Sequence, residues 1–328
     1  MPDDTTPSPG DAAGTTTVPA AVARVPQRAT HRLGTWLRAL PEALREPAIE
    51  LAARPAKSLR PLLVAACAAF GRPDSADVID RAALVELLHL ASLLHDDVID
   101  GAPLRRGAPS AYATYGAEHA MLAGLGCFAL VGMRATRLGG QEHLMVARVS
   151  AELAIGELGD IERAFDTRVS VEDYVELVEG KTGSLLGLAC GLGALAARVD
   201  APVTIALRSF GVQLGIAFQI LDDCLDLQRD LPEGKPLGTD HLLGLFGCPT
   251  LFALAADTTG ELRRLLLAPD MRLGDLPRVR ELVTQYGGID AALSLARQHY
   301  DNALALLAPL DPAPVAVLTT VSTLRWPA

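Results

Sequence analysis

Two acidic clusters share one spacing: Asp96-Asp97-Val98-Ile99-Asp100 and Asp222-Asp223-Cys224-Leu225-Asp226. In a helix, residues four apart fall on one face, so Asp96 lies over Asp100 and Asp222 over Asp226. Three carboxylates within little more than one turn repel each other and stabilise nothing by themselves. A divalent cation resolves that repulsion. Mg2+ takes hard oxygen ligands, keeps one or two protein carboxylates and completes its shell with water and substrate phosphate. Two such faces turned toward each other would clamp a diphosphate. Either cluster alone reads better as a solvated helix end; it is the pair that points to the metal.

Other residues extend this chemistry. His89 precedes Asp96 by seven and Asp100 follows by four, so all three share a helix face. A histidine among leucines also reads as a core side chain. Leu104-Arg105-Arg106-Gly107 follows the first cluster directly, and guanidinium groups match phosphate oxygens in pairs. Upstream, Lys57 and Arg60 stand at i and i+3 before an apolar segment. Lys181-Thr182-Gly183 lies among small apolar residues, where a buried lysine requires a carboxylate or phosphate partner. Gln219, three residues before Asp222, can orient substrate or stabilise positive charge one turn deeper. The glycine-bracketed stretch from Gly234 to Asp240 carries Lys235 and could close over a bound phosphate.

The elements that must position these groups read as helices. Segments of helical length alternate with breaks at Pro41, Pro47, Pro55, Gly71-Arg72-Pro73, Gly101-Ala102-Pro103, Gly107-Ala108-Pro109, Gly139-Gly140 and Leu231-Pro232-Glu233-Gly234. No sustained alternating strand pattern intervenes. Arg81 to Asp100 is the clearest helix, with Leu84, Leu87, Leu88, Ala91, Leu94 and Val98 at helical spacing, Asp77 as a candidate cap and Gly101 past its end. Ser170 to Asp173 forms a capping-box pattern opening a helix through Leu177, and Ser209 to Gln228 reads as a long helix bearing the second cluster. The Gly-Leu-Gly runs at 124–126 and 191–193 lack a preceding strand, so they read as points of close helix approach rather than a dinucleotide loop. The reading is all-α: one large helical bundle around a central cavity at 29–328, after a disordered Pro/Thr/Gly-rich leader at 1–28.

Composition agrees. Of 328 residues, 50% are apolar and 4% aromatic, giving a Leu/Ala/Val core suited to helix packing. A net charge of −10 argues against nucleic acid as a partner. Five scattered cysteines without C-x-x-C spacing fit reduced thiols in a cytoplasmic protein and indicate neither zinc nor disulfides. The longest uncharged apolar stretch, Thr182 to Ala197, is too short for a membrane span, so no transmembrane segment is expected.

Together these motifs resemble the trans-isoprenyl diphosphate synthases, the polyprenyl synthetase family, from about Arg54 to Asp240. Leu94 to Asp100 with Leu104 to Gly107 is similar to the family's first aspartate-rich motif. Phe218 to Asp226 is similar to the second, and Gly180-Lys181-Thr182-Gly183 fits between them. The resemblance implies an isoprenoid-synthase-like fold and head-to-tail condensation of isopentenyl diphosphate with an allylic diphosphate. It also implies a homodimer, and three Mg2+ ions held by Asp96, Asp100 and Asp222, with Asp97, Asp223 and Asp226 in support. Arg105, Lys181 and Lys235 would bind the allylic diphosphate; Lys57, Arg60, His89 and Arg106 would bind isopentenyl diphosphate. Thr182 and Gln219 would face the developing carbocation.

The chain departs from the family pattern at three places. Ser58 replaces an arginine of the Gly-Lys-Arg-x-Arg-Pro motif, Leu245 stands where a lysine often follows Gly244, and Leu125 stands where an aspartate is often found. In this fold the product grows beside the first-motif helix. Ser92 lies about 6 Å below Asp96, beside Ala91, with Leu88 a turn lower. Both upper positions are small, so the resemblance implies a product of geranylgeranyl length or longer, floored by Leu88, Leu84 or a facing residue such as Met133. Ala91 and Ser92 also fit close helix packing alone. A modulatory partner subunit of another synthase and a class I terpene cyclase are the competing readings.

Overall fold

The computed structural model describes residues 17–55, 58–228 and 239–323. Sixteen α-helices run through the described residues. The first half holds α1 (Ala20–Ala23), α2 (Val25–Leu37), α3 (Glu42–Ala53), α4 (Leu59–Ala68), α5 (Ala76–Ile99), α6 (Ala111–Tyr115), α7 (Ala117–Ala135) and α8 (Gly140–Arg163). The second holds α9 (Val171–Val178), α10 (Ser184–Ala197), α11 (Ala201–Gln228), α12 (Cys248–Ala256), α13 (Glu261–Leu266), α14 (Leu276–Gln285), α15 (Gly288–Leu307) and α16 (Pro312–Thr323). Among the described residues, extended structure is limited to a hairpin of β1 (Leu104–Arg105) and β2 (Ala108–Pro109), with Leu104 opposite Pro109. The all-α expectation holds.

The apolar stretch that is too short for a membrane span becomes the innermost helix. Every residue of α10 from Ser184 to Ala194 is buried, as a helix apolar on all sides must be. Gly193 lets α4 pass against it, because a Cβ there would collide with the Val64 carbonyl oxygen. Beside α10 runs α11, which serves two apolar clusters at once. Leu207, Phe210, Leu214 and Ala217 join the larger one; Ile216, Ile220, Cys224 and Leu227 join a second, built with α9, α12, α14 and α15. Gripped from both sides, α11 holds its C-terminal acidic cluster in a fixed place. By length and composition α11 could cross a membrane, yet half of its most apolar window is buried within the protein. All five cysteines are buried free thiols.

Helix boundaries differ from expectation in several places, and α11 begins at Ala201 rather than Ser209. α1 and the start of α2 fall inside the expected leader, because Val22 and Val25 are buried and continue the apolar stripe of Ala29, Leu33 and Trp36. The boundary at residue 28 is therefore corrected. Pro47 lies within α3, its ring buried, and the helix continues past it at the loss of one backbone hydrogen bond. The cap of α5 is Ser75, whose hydroxyl accepts the Val78 N–H at 3.3 Å; Asp77 sits in the first turn, where its charge faces the helix dipole. At the other end of α5, Gly101 takes φ +58° and the Ala102 N–H bonds to Asp97 O at 2.9 Å, a left-handed glycine closure. The Ser170–Asp173 capping box is present and opens α9.

Candidate active site

The C-terminal ends of α5 and α11 face one another across a cavity of about 880 Å³. Asp96 and Asp100 line one wall and Asp222, Asp223 and Asp226 the other, with Lys181, Thr182 and Gln219 between them. Both acidic clusters therefore serve a single hollow.

On the first wall the nearby cations do not offset the burial of the carboxylates. Burial, followed by the nearby Glu157, lifts Asp96 to a pKa of about 7 against the pull of Lys181 and Arg105. Asp100 is raised for the same two reasons. Lys181 Nζ sits 2.6 Å from both Glu157 Oε2 and Asp160 Oδ2. Burial would lower this lysine, but Asp160, Asp96 and Glu157 hold it above its ordinary value. The sequence requires a carboxylate or phosphate for Lys181 without saying which. Glu157 and Asp160, three apart on α8, are the answer, and Gly156 beside them lets the lysine close in, its absent Cβ leaving room at 3.0 Å from Lys181 Cβ. Hard oxygens that resist ionisation while unpaired fit a divalent cation. Among the described residues no three His, Cys, Asp or Glu groups form a metal cluster by themselves; Mg2+, taking one or two carboxylates and substrate phosphate, requires none.

The hairpin sends its two arginines apart. Arg106 and Gly107 both take positive φ, +54° and +74°, the pattern of a tight I′ turn. Arg105 lines the cavity and donates from Nε to Asp97 Oδ1 at 2.6 Å. Arg54 pins the hairpin by donating to Arg105 O at 2.9 Å and Pro109 O at 2.7 Å. Asp97 departs from the expected role. One residue on from Asp96 turns its side chain by about 100°, so it is fully buried and absent from the cavity wall. It aims Arg105.

Arg106 turns the other way, toward Leu51 O at 3.3 Å and into a second cationic group with Arg60 and His89. Burial lowers the Arg60 pKa, Glu86 opposing it. Burial, Arg60 and Arg106 together hold His89 well below its ordinary value, so its ring is neutral. Glu86, another residue the sequence reading missed, stands three positions before His89 on α5. Lys57 and Lys235 lie outside the described residues.

Below the first cluster, Leu88 and Ala91 are fully buried, and Ser92 is half-buried with its hydroxyl on His89 O at 2.9 Å. None of the three is among the described residues lining the cavity. Met133 is 59% exposed on α7, which corrects its expected place as a facing floor: it lies on the outer side of that helix. Leu125 is exposed on the same helix, whereas Leu245 lines the cavity.

The second wall is a chain of hydrogen bonds. Thr182 Oγ1 donates to Gln219 Oε1 at 3.0 Å, and Gln219 Nε2 donates to Asp223 Oδ1 at 3.0 Å. Asp223 Oδ2 accepts the Tyr174 hydroxyl at 2.5 Å and the Cys248 N–H at 3.1 Å. Burial, offset by these donors, raises Asp223 to a pKa of about 6. Lys181 and Thr182 belong to a π-helical turn, Glu179–Gly183, between α9 and α10, a wider turn that frequently marks functional sites. The sequence pattern of α9 and α10 runs through this turn without announcing it.

The polyprenyl synthetase family model matches residues 41–283. Nonaprenyl diphosphate synthase of Mycobacterium tuberculosis is 37% identical over 279 residues, covering 84% of this chain and 81% of its own. Heptaprenyl diphosphate synthase component 2 of Geobacillus stearothermophilus is 34% identical, over 80% of this chain and 83% of its own. Among solved structures, a polyprenyl synthase from Caulobacter crescentus complexed with calcium and isoprenyl diphosphate superposes with a TM-score of 0.85. It is 32% identical and covers 94% of this chain and 97% of its own.

Proposed function

Since the chain belongs to the polyprenyl synthetase family and is a trans-prenyltransferase, we propose that the cavity between α5 and α11 is where it joins isopentenyl diphosphate to an allylic diphosphate, head to tail. One observation carries the assignment: both aspartate-rich helix ends line the same hollow. Asp96, Asp100 and Asp222 would hold Mg2+, three ions with substrate bound, and the solved relative's calcium and isoprenyl diphosphate support this. When bound, the metal neutralises charge on the departing diphosphate. Arg105 and Lys181 turn from their carboxylate partners to the allylic diphosphate, with Lys235 completing the set. Arg60, Arg106 and neutral His89, with Lys57, hold isopentenyl diphosphate. Thr182 and Gln219 oxygens face the allylic carbon as the C–O bond breaks, and apolar walls exclude water from the cation. The isopentenyl double bond attacks that carbon, and the proton lost from the isopentenyl unit passes to the released diphosphate.

The product is all-trans and of geranylgeranyl length or longer. Small side chains at Ala91 and Ser92 and the nonaprenyl and heptaprenyl names of the relatives support this. Elongation would run along α5 toward Leu88. The prenyltransferase domain then extends from about residue 20, in a cytoplasmic protein. Purified chain incubated with Mg2+, labelled isopentenyl diphosphate and an allylic primer tests the reading. Elongated diphosphates support it; cyclic hydrocarbons would make the protein a terpene cyclase.

A second reading rests on the relative named as one component of a heptaprenyl synthase. Met121, Leu122, Leu125 and Met133 on α7, with Leu144, Ile155 and Leu158 on α8, are exposed apolar residues at helical spacing. A second copy covering this face would make the homodimer we favour; a different chain covering it would make this a component. Activity from the purified chain alone, with a dimer mass in solution, favours the former. No product without an added chain favours the latter.

A further inference from the structure

Four polar groups on the second wall are joined in one hydrogen-bonded chain. Thr182 and Gln219 line the cavity. Asp223 and Tyr174 line it too, but their polar atoms are engaged with each other and with Gln219. Directionality along this chain is fixed from the far end. A carboxylate accepting the Tyr174 hydroxyl, the Cys248 N–H and the Gln219 amide is an acceptor at every contact. The Gln219 NH2 must therefore face Asp223, and its carbonyl oxygen must face Thr182. Thr182 in turn gives its proton to that carbonyl at 3.0 Å. What remains for the cavity is oxygen lone pairs from both residues. An amide turned the other way would present N–H donors, which repel a developing cation.

Tyr174 anchors this arrangement. It projects from α9, whose start is set by the Ser170–Asp173 capping box, and crosses to α11 with its hydroxyl 2.5 Å from Asp223. Its side chain is buried, so the hydroxyl needs an acceptor inside the protein. We propose that Tyr174 is a positioning residue for the cation-forming step: through Asp223 it locks the Gln219 amide with its oxygen toward the allylic carbon. Asp223 then serves as the orienter of Gln219, distinct from Asp222 and Asp226 beside it. The inference rests on the reading that Thr182 and Gln219 face that carbon.

A double-mutant cycle tests it, with kcat and KM measured for both diphosphates in Tyr174→Phe, Gln219→Met and the double variant. Tyr174→Phe should lower kcat roughly ten- to hundredfold while both KM values stay near wild type. In the Gln219→Met background the same change should cost less than about twofold, because the group it positions is gone. Should Tyr174→Phe fold poorly, Asp223→Asn replaces it: an asparagine can present an amide N–H to Gln219, and it should reproduce the loss in kcat without adding to Gln219→Met. Multiplying losses in the double variant would show Tyr174 acting through the fold and overturn the proposal, as would a raised KM with unchanged kcat. Wild-type kcat in Gln219→Met alone would refute the placement of Gln219, a different failure from that of Tyr174.

Discussion

Gly215 is the point where α11 touches the turn that carries Lys181 and Thr182. A Cβ added there would lie 2.7 Å from Gly183 Cα, 3.0 Å from Thr182 O and 3.1 Å from Gly183 N. All three are backbone atoms and cannot swing aside, so the two elements must separate by several tenths of an ångström. Gly215→Ala should therefore cost about 1–3 kcal/mol as an overpacked contact, despite alanine's better helix propensity. The same separation stretches the 3.0 Å bond from Thr182 to Gln219 and moves Lys181 relative to Asp96. A displacement approaching 1 Å in positioning groups lowers turnover about a hundredfold, so kcat should fall far more than folding stability accounts for. Gly34→Ala is the matched control. It lies in α2 with nothing within 4 Å of its added Cβ, and should stabilise by about 0.5–1 kcal/mol with unchanged kcat. Thermal unfolding and steady-state kinetics on both variants suffice. Wild-type turnover in Gly215→Ala would refute the claim that this close approach sets the geometry of the site.

Further tests address the charges and the product. Asp96 has a folded pKa of about 7, above the unfolded value near 4, so its ionisation opposes folding and the penalty grows as pH rises through that window. Metal-free Asp96→Asn should thus be more stable than wild type at pH 8, by on the order of 1–4 kcal/mol, with the gain shrinking toward pH 4; thermal unfolding in chelator that shows destabilisation at pH 8 would contradict this. Ala91→Phe, primed with farnesyl diphosphate, should yield shorter products than wild type by chromatography, and unchanged lengths would reject growth along α5. Leu245 lines the cavity, so Leu245→Lys should lower KM for the allylic diphosphate by about tenfold, one charge-assisted contact; no change in KM would mean the side chain does not reach the phosphate.

The parts of the site legible in the sequence were those encoded within one helix. Asp96 over Asp100, Asp222 over Asp226, and Gln219 a turn below the latter follow from helical spacing alone, and each lines the cavity. Wherever a role depends on which helices meet, spacing is silent. Glu157 and Asp160 look like ordinary charges on α8 until the π-helical turn brings Lys181 against them. Tyr174 sits in a short amphipathic helix, and only the packing of α9 on α11 brings its hydroxyl to Asp223. The adjacent arginines look equivalent in sequence, yet the left-handed turn at Arg106 and Gly107 sends one to Asp97 and the other toward Glu86 and His89. At the N-terminus, composition concealed helix: the Pro- and Thr-rich stretch extends almost to Val22 and Val25, whose burial marks the true start of α2's stripe.

How an acidic protein holds two anionic substrates follows from the way its cations are paired. On the side proposed for the allylic diphosphate, Lys181 is already held by Glu157 and Asp160, and Arg105 by Asp97. These cations face a wall that also carries Asp96 and Asp100, so that side offers little attraction to a diphosphate until a divalent cation reverses the local charge. The other group is built differently. Arg60, Arg106 and neutral His89 are opposed by Glu86, whose own pKa burial raises, and Arg60 Nε has no hydrogen-bond partner among the described residues. A buried guanidinium N–H left unsatisfied is a standing demand for an oxygen acceptor, and an incoming phosphate meets it without metal. In the proposed reading the two substrates would thus part between the carboxylate-lined cavity and this second cationic group, whose Arg60, His89 and Arg106 are not among the described residues lining that cavity: the diphosphate that ionises would arrive with its metal, and the one that attacks would be held without it. Ionisation is confined to the allylic partner by its own carbon skeleton, because only an allylic C–O bond breaks to a resonance-stabilised cation; in the proposed reading the carboxylate pairs would set the metal on that partner's leaving group.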